Sequence, residues 1–170
     1  SRAGDERPGE LNTEECLDVV HQLRDMGVRE ITLIGGEAYL RDDWHIIATE
    51  VTRCGMSVGM TTGARSLTEE RVDQAVAAGI SMFHCCNTLS VAAGGLSGGP
   101  LKPVSLQCIG MLRSRRDGQS LRIIGGGGIT MEEDIDDYCQ AGGQHVAIGT
   151  RTRNPMVLMS DRSFGPLIAH

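Results

Sequence analysis

Apolar residues along this chain occur in short continuous runs that alternate with longer stretches of helical spacing. The continuous runs predict buried strands at residues 30–34, 56–61, 80–85, 121–124 and 146–148. The other stretches predict five helices: one after an N-cap at Thr13, one over 68–78 after an N-cap at Ser66, and three over 42–54, 104–115 and 131–141. Strands that alternate with helices predict an α/β fold with a parallel sheet and right-handed crossovers.

Five strand–helix units are too few to close an eight-stranded barrel. Two arrangements therefore stay open: a partial, open TIM-barrel-like sheet, or a rearranged sheet covered by helices on both faces, which continuous apolar strands favour. The length of 170 residues suits a single domain over residues 1–170. An open barrel exposes two strand edges and an apolar inner face, so we expect a homo-oligomer.

Composition argues against several classes of partner. The formal net charge is −6, whereas a nucleic-acid surface needs clustered basic residues, so we expect no nucleic-acid partner. No apolar run approaches the roughly 20 residues that cross a bilayer, so we expect no membrane association. The six cysteines and five histidines show no disulfide or metal-ligand spacing. We therefore expect free thiols, no bound metal and a cytoplasmic protein.

Glycines cluster where the last two predicted strands end. Residues 121–150 read LRIIGGGGITMEEDIDDYCQAGGQHVAIGT, so one strand runs into four glycines and the next ends at Gly149 and Thr150. Glycine lets the backbone approach a ligand closely, and the N–H groups that begin the following helix would face the same spot. Tight strand-to-helix turns need glycine in any case. Tandem turns together with GGLSG at residues 94–98 favour a phosphate or flavin site.

Four motifs in sequence order carry a resemblance to a known family: FHCCNT (83–88), GGLSGGPLKP (94–103), RIIGGGGI (122–129) and AIGT (147–150). Over residues 80–155 the chain resembles the C-terminal part of the dihydroorotate dehydrogenases, flavin enzymes built on a barrel. The resemblance implies FMN as cofactor and a small-molecule phosphate or flavin as partner. It places Asn87 and Thr88 near the pyrimidine and the flavin. It implies that the FMN phosphate is held by Ser97, Gly98, Gly127, Gly128, Gly149 and Thr150.

The same resemblance implies an FMN-dependent oxidoreductase of the dihydroorotate dehydrogenase type, if the chain is active. It also implies that the family's base, its flavin-contacting lysine and much of the isoalloxazine pocket precede residue 80, where this sequence reads differently. We therefore expect binding without complete catalysis, and no residue is assigned a catalytic role. Cys85 and Cys86 sit at a strand end, where a thiolate could react, but buried structural thiols are the favoured interpretation.

Residues 9–79 resemble a different family, the radical S-adenosylmethionine enzymes of the peptide-modifying (SPASM) type. Gly35-Gly36-Glu37 after a strand, followed by YLRDDW and a second strand ending MTTGAR, carries this resemblance. In that family the Gly-Gly-Glu turn contacts the amino group of S-adenosylmethionine. Its motif of three closely spaced cysteines is absent from this sequence, so we expect no iron–sulfur cluster, and residual S-adenosylmethionine binding is a disfavoured alternative.

The two resemblances together predict a chimera. Fragments of two barrels would meet near Ala78-Gly79-Ile80, where a helix ends and the strand–helix alternation continues unbroken. Residues 156–170 would form a tail that packs over the sheet or serves as an interface. Three functions stay open: an FMN- or phosphate-binding protein, a structural chimera without a ligand, and residual S-adenosylmethionine binding.

Overall fold

The computed structural model describes residues 8–86, 88–91 and 94–149. The chain divides into two compact units, with the boundary between Phe83 and His84. The single-domain expectation stays a prediction, and the tail at 156–170 lies outside the described residues. The helices are α1 (Thr13–Asp25), α2 (Trp44–Arg53), α3 (Glu69–Ala77), α4 (Lys102–Ser114) and α5 (Glu132–Gln140). The strands are β1 (Glu30–Leu33), β2 (Ser57–Thr62), β3 (Ile80–Cys85), β4 (Leu89–Val91), β5 (Gly94–Leu96), β6 (Arg122–Gly126) and β7 (His145–Ala147).

Helices of the first unit begin at caps one or two residues away from those expected. Asn12, not Thr13, caps α1: its side chain accepts from the N–H of Glu15, whose carboxylate accepts from the N–H of Asn12. This reciprocal pair satisfies two N–H groups that a helix start leaves without partners. Thr68, not Ser66, caps α3 by accepting from the N–H of Arg71.

The first two strands of the chain form a parallel pair. β1 pairs with β2 in parallel from Glu30 opposite Ser57 to Leu33 opposite Met60. A Cβ at Gly59 would lie 2.6 Å from the end of the Met82 side chain, so a small residue is needed there for close packing. The core of this unit is mainly aliphatic and also contains three buried aromatic residues, Tyr39, Trp44 and Phe83. The buried aliphatic side chains include Val20, Ala48, Val51, Val58, Met60, Val72 and Ile80.

The second unit contains the remaining strands and the last two helices. β6 and β7 pair in parallel, with Ile124 opposite His145 and Gly126 opposite Ala147. β4 and β5 form a two-stranded antiparallel sheet in a part of the chain where no strand was predicted. The buried side chains of this unit include Leu101, Cys108, Ile109, Leu112, Ile123, Ile129, Ile135 and Tyr138.

The larger sheet confirms the predicted fold class. Its strand order, β1-β2-β3-β6-β7, follows the order along the chain, as in successive strand–helix units of a barrel. The sheet stays open at its two ends, so the architecture is an open α/β sheet with helices between its strands. None of the helices among the described residues has the length and apolar character needed to cross a membrane.

Candidate functional site

Two glycine turns of the second unit lie against each other. We name residues 97–99, which precede α4, the first elbow. Residues 126–128, which begin at the last residue of β6, are the second elbow. A Cβ at Gly128 would lie 2.9 Å from the carbonyl oxygen of Gly98 and 2.9 Å from the Cα of Gly99. Gly98 and Gly128 both have positive φ, +79° and +74°. Glycine is therefore needed at Gly128 for both its backbone conformation and its close approach to the first elbow.

The second elbow also contacts the end of β3. The N–H of Cys86, the residue before Asn87, donates to the carbonyl oxygen of Gly126 at 3.2 Å. A Cβ at Gly127, whose φ is +95°, would lie 2.9 Å from the carbonyl oxygen of Cys86 and 2.9 Å from the Cβ of Leu101. The structure thus brings the segments after β3, before α4 and after β6 to one place within the second unit.

Backbone donors at the second elbow are not used by their surroundings. Among residues 8–86, 88–91 and 94–149, no hydrogen-bond acceptor contacts the N–H groups of Gly127 and Gly128. Gly128 is buried and Gly127 is half-buried. Since unsatisfied N–H groups at low exposure are costly, two adjacent ones form a place where an oxyanion can bind.

Tyr138, on α5, fixes the carbonyl side of the second elbow. Its hydroxyl donates to the carbonyl oxygens of Gly126 at 2.9 Å and Gly127 at 2.7 Å. The ring is fully buried, and burial raises the pKa of the phenol, so the group stays a neutral donor. Gly125 makes room for this arrangement, because a Cβ there would lie 2.3 Å from the Tyr138 ring.

The start of α5 is occupied by its own acidic side chain. Asp134 accepts from the N–H groups of Thr130 at 2.7 Å and Met131 at 3.0 Å. Its other oxygen accepts from the Lys102 ammonium at 2.5 Å, and Lys102 also contacts Asp137 at 2.6 Å. The N–H groups of Thr130 and Met131, directly before α5, are therefore occupied by this carboxylate.

Electrostatics around Lys102 follow from this cluster. Burial of Asp134 favours its neutral form, but the Lys102 ammonium and the backbone donors outweigh burial and lower its pKa to about 2. The hydrogen bonds from Lys102 to Asp134 and Asp137 raise the pKa of the lysine. Lys102, the charged residue that follows the first elbow, thus forms ion pairs that link α4 to α5. The donors that the elbows would offer to a ligand are backbone N–H groups.

The other predicted site residues are distributed as follows. Gly149 follows β7, which is parallel to β6, so it lies at the same edge of the sheet as the second elbow. Thr88 and Ser97 are exposed on the segments that flank the β4–β5 pair. Asn87 and Thr150 lie outside the described residues. Of the eight predicted residues, Gly98 and Gly128 lie in contact, and Gly127 directly precedes Gly128.

Thiols near the elbows are buried. Cys85 and Cys86 are fully buried, and the Cys85 sulfur lies 3.3 Å from that of Cys108 on α4. Cys85 and Cys108 do not form a disulfide. His84 lies beside the second elbow, since a Cβ at Gly126 would be 3.1 Å from its Nε2, and burial lowers its pKa. These thiols pack as part of the core, as the structural interpretation requires.

Glu37 of the first unit has partners inside the protein. One carboxylate oxygen accepts from the N–H groups of Gly63 at 3.0 Å and Arg65 at 3.1 Å, and the other accepts from the Thr62 hydroxyl at 2.8 Å. Glu37 is buried, with 8% of its surface exposed. Its carboxylate therefore holds the loop after β2.

The fold is similar to part of a solved DHODH structure. A crystal structure of DHODH from Eimeria tenella, in complex with ferulenol, superposes with a TM-score of 0.61 and covers 89% of this chain. The match includes 53% of that protein at 17% sequence identity. At this identity the likeness shows the fold alone.

Sequence comparison identifies the family. The dihydroorotate dehydrogenase family model matches residues 56–160, more than half of the chain. The chain belongs to the dihydroorotate dehydrogenase family. The match includes β2 and α3 and thus extends before the junction expected near Ala78-Gly79-Ile80, into the segment that resembles radical S-adenosylmethionine enzymes.

Curated relatives resemble only part of the chain. It is 37% identical over 98 residues to dihydroorotate dehydrogenase B (NAD(+)), catalytic subunit, of Oceanobacillus iheyensis, which covers 51% of this chain and 31% of that protein. It is 42% identical over 65 residues to the subunit of the same name from Staphylococcus carnosus, 38% of this chain and 20% of that protein. The chain thus spans about a third or less of the length of these relatives.

Proposed function

We propose that this protein binds FMN through its phosphate, at the two glycine elbows of the second unit. The observation that carries the proposal is the contact of Gly128 with Gly98 and Gly99 beside N–H groups that lack acceptors among the described residues. The N–H groups of Gly127 and Gly128 would hold the phosphate, with Ser97, Gly98, Gly149 and Thr150 around it. Asn87 and Thr88 would lie toward the flavin ring.

Residues of this chain fit the phosphate end of FMN for physical reasons. A phosphate brings several acceptor oxygens, and successive backbone N–H groups in a glycine turn bind such an anion without a cationic side chain. Lys102 stays with its two carboxylates, so its charge is not required. When bound, FMN would supply hydride chemistry, and the chain's part is to bind and orient it.

We propose binding without complete catalysis. The family match begins at residue 56, so the residues before 56 lie outside the part of the chain that matches the family. The resemblance assigns the base and the flavin-contacting lysine to strands before residue 80. An enzyme of the dihydroorotate dehydrogenase type is therefore the activity to test, with turnover of dihydroorotate expected to be absent.

The test is a titration of the whole chain with FMN and, in parallel, with riboflavin, which lacks the phosphate. Quenching of flavin fluorescence reports binding. We expect saturable FMN binding and at least tenfold weaker riboflavin binding, because the elbows contact the phosphate. Equal affinity for both flavins would refute the phosphate site. If no binding is seen at millimolar FMN, the alternative function, a structural chimera that binds no ligand, is favoured instead.

A glycine pair provides the matched variants. Gly128→Ala places a Cβ at positive φ against the backbone of the first elbow and is expected to weaken FMN binding at least tenfold. Gly110→Ala, on α4, meets no atom within 4 Å and is expected to leave binding unchanged. Circular dichroism shows whether each variant folds. The flavin comparison in the unmodified chain tests the proposal independently of either variant.

The chimeric origin is proposed in a narrower form. Because the family match begins at residue 56, a fragment of radical S-adenosylmethionine type would be confined to residues 9–55. The structure does not favour residual S-adenosylmethionine binding, since both oxygens of Glu37 already accept hydrogen bonds from Thr62, Gly63 and Arg65.

We also propose that copies of the chain associate. β1 ends the strand order of the sheet, and Ile34, directly after it, is 72% exposed. Apolar side chains beside an edge strand favour pairing with another chain. Sedimentation over a range of concentrations tests this, and a monomer at every concentration would refute it.

A further inference from the structure

Three metal-ligand side chains of the first unit lie together between α1 and α2. His21 Nε2 lies 2.8 Å from Glu50 Oε1, and the sulfur of Cys54 lies 3.8 Å from the same oxygen. The three donor atoms all lie within 4.8 Å of one another. An imidazole, a carboxylate and a thiol are a ligand set that zinc accepts.

Helix geometry places these side chains together. Glu50 and Cys54 are four residues apart on α2 and its C-terminal end, so they lie on one face of the helix. His21 follows Val20, whose burial fixes the orientation of α1. Val51 is fully buried and fixes α2 in the same way. The ligand positions are thus set by packed helices, which hold a site more rigidly than loops do.

We propose that His21, Glu50 and Cys54 bind Zn²⁺ on the surface of the first unit. Zinc bonds of about 2.0–2.3 Å separate tetrahedral ligand atoms by roughly 3.3–3.7 Å. For most pairs of these three donor atoms, the distance in the structure differs from that range by about 1 Å or less. Rotation of the side chains can make up this difference. The His21 side chain is 43% exposed, so solvent reaches the fourth position, where water would bind.

Arg53 completes the arrangement. Its guanidinium donates to Glu50 Oε2 at 2.8 Å and leaves Oε1 for the metal. Such a partner orients a ligating carboxylate and is typical of metal sites. Arg24 also lies near Cys54. Its positive charge is offset by Asp25, with which it forms an ion pair at 2.8 Å. Binding releases the thiol proton of Cys54 and any proton that His21 shares with Glu50.

Ligand spacing along the sequence does not reveal this site. His21 and Glu50 are 29 residues apart, so no short motif of closely spaced ligands marks this site. The competing explanation is that the His21–Glu50–Arg53 contacts merely link the two helices as surface ion pairs. The two explanations differ in what added metal does to the protein.

Cobalt titration of the whole chain tests the site. Co²⁺ in place of Zn²⁺ should give intense visible bands typical of tetrahedral coordination and a thiolate-to-cobalt band in the near ultraviolet, both saturating at one ion per chain. Competition with a chelating dye measures the Zn²⁺ affinity. We expect Cys54→Ser to abolish the thiolate band and His21→Gln to weaken Zn²⁺ binding at least tenfold.

Matched controls use the same residue types on the same helices. Cys16→Ser on α1 and His45→Gln on α2 should leave the bands and the affinity unchanged. His21 is nearly half exposed, so its replacement leaves the core intact even if Cys54→Ser fails to fold. Absence of the thiolate band in the unmodified chain, its persistence in Cys54→Ser, or its loss in Cys16→Ser would overturn the proposal.

Discussion

Replacing Asp134 with asparagine should make the protein less stable at neutral pH and less sensitive to acid. Asp134 accepts from the N–H and hydroxyl of Thr130, the N–H of Met131 and the ammonium of Lys102. Only 7% of the residue's surface is exposed. An asparagine keeps the shape but offers one oxygen and no charge, so Lys102 loses a partner.

The magnitude follows from the pKa. These donors lower the pKa of Asp134 from 3.8 to about 2, which corresponds to about 2 kcal/mol of stability when the carboxylate is ionised. Since the pKa is lower in the folded than in the unfolded chain, this stabilisation is complete above about pH 4. It is lost as pH falls toward 2, because protonation removes the charge that the donors stabilise.

Urea unfolding followed by circular dichroism at pH 6 and at pH 2.5 measures the effect. We expect Asp134→Asn to lower the free energy of unfolding by about 2 kcal/mol at pH 6 and by clearly less at pH 2.5. Asp136→Asn, an exposed position on the same helix, is the control and should change stability little at either pH. The reasoning would be refuted if the free energies of unfolding of the unmodified chain and of Asp134→Asn differed by the same amount at both pH values.

Three further substitutions in the second unit test the stability predictions, each by chemical denaturation. Tyr138→Phe removes the donor to the carbonyl oxygens of Gly126 and Gly127 and should cost about 1–3 kcal/mol; an unchanged midpoint would contradict the role given to the hydroxyl. Gly125→Ala puts a Cβ 2.3 Å from the Tyr138 ring and should cost about 1–3 kcal/mol, unless the ring moves freely. Gly110→Ala, exposed within α4 with open space around it, should stabilise by about 0.5–1 kcal/mol.

The strands were predictable because each is a continuous apolar run. β3 was predicted at its observed bounds, and β1, β2, β6 and β7 begin and end within two residues of the predicted positions. The β4–β5 pair was not predicted, since its three-residue strands contain glycines and small residues that are typical of loops. The cap at Asn12 was missed because both Asn12 and Thr13 are good cap residues, and the reciprocal partner Glu15 decides between them.

The candidate site was predictable only as a set of backbone positions. Glycine runs at strand ends indicated the elbows, and Gly98, Gly127 and Gly128 do lie together. The side chains that shape the elbows come from α4 and α5, and their spacing carries no local signal. Tyr138 reaches back eleven residues to Gly127, and Lys102 reaches Asp134 across 32 positions. Such pairings depend on how the helices pack, which periodicity alone does not specify.

The contacts that shape the elbows also separate binding from chemistry in this chain. Among the described residues, the neighbours that contact Gly127 and Gly128 include Cys86, Gly98, Gly99, Leu101 and Tyr138, all within the second unit and within the family match. An anion held there needs backbone N–H groups and no residue from the unmatched segment before residue 56. Proton transfer to a substrate, in contrast, needs a side chain within hydrogen-bond reach of the reacting atom. FMN affinity should therefore be retained by the elbows even if dihydroorotate turnover is absent.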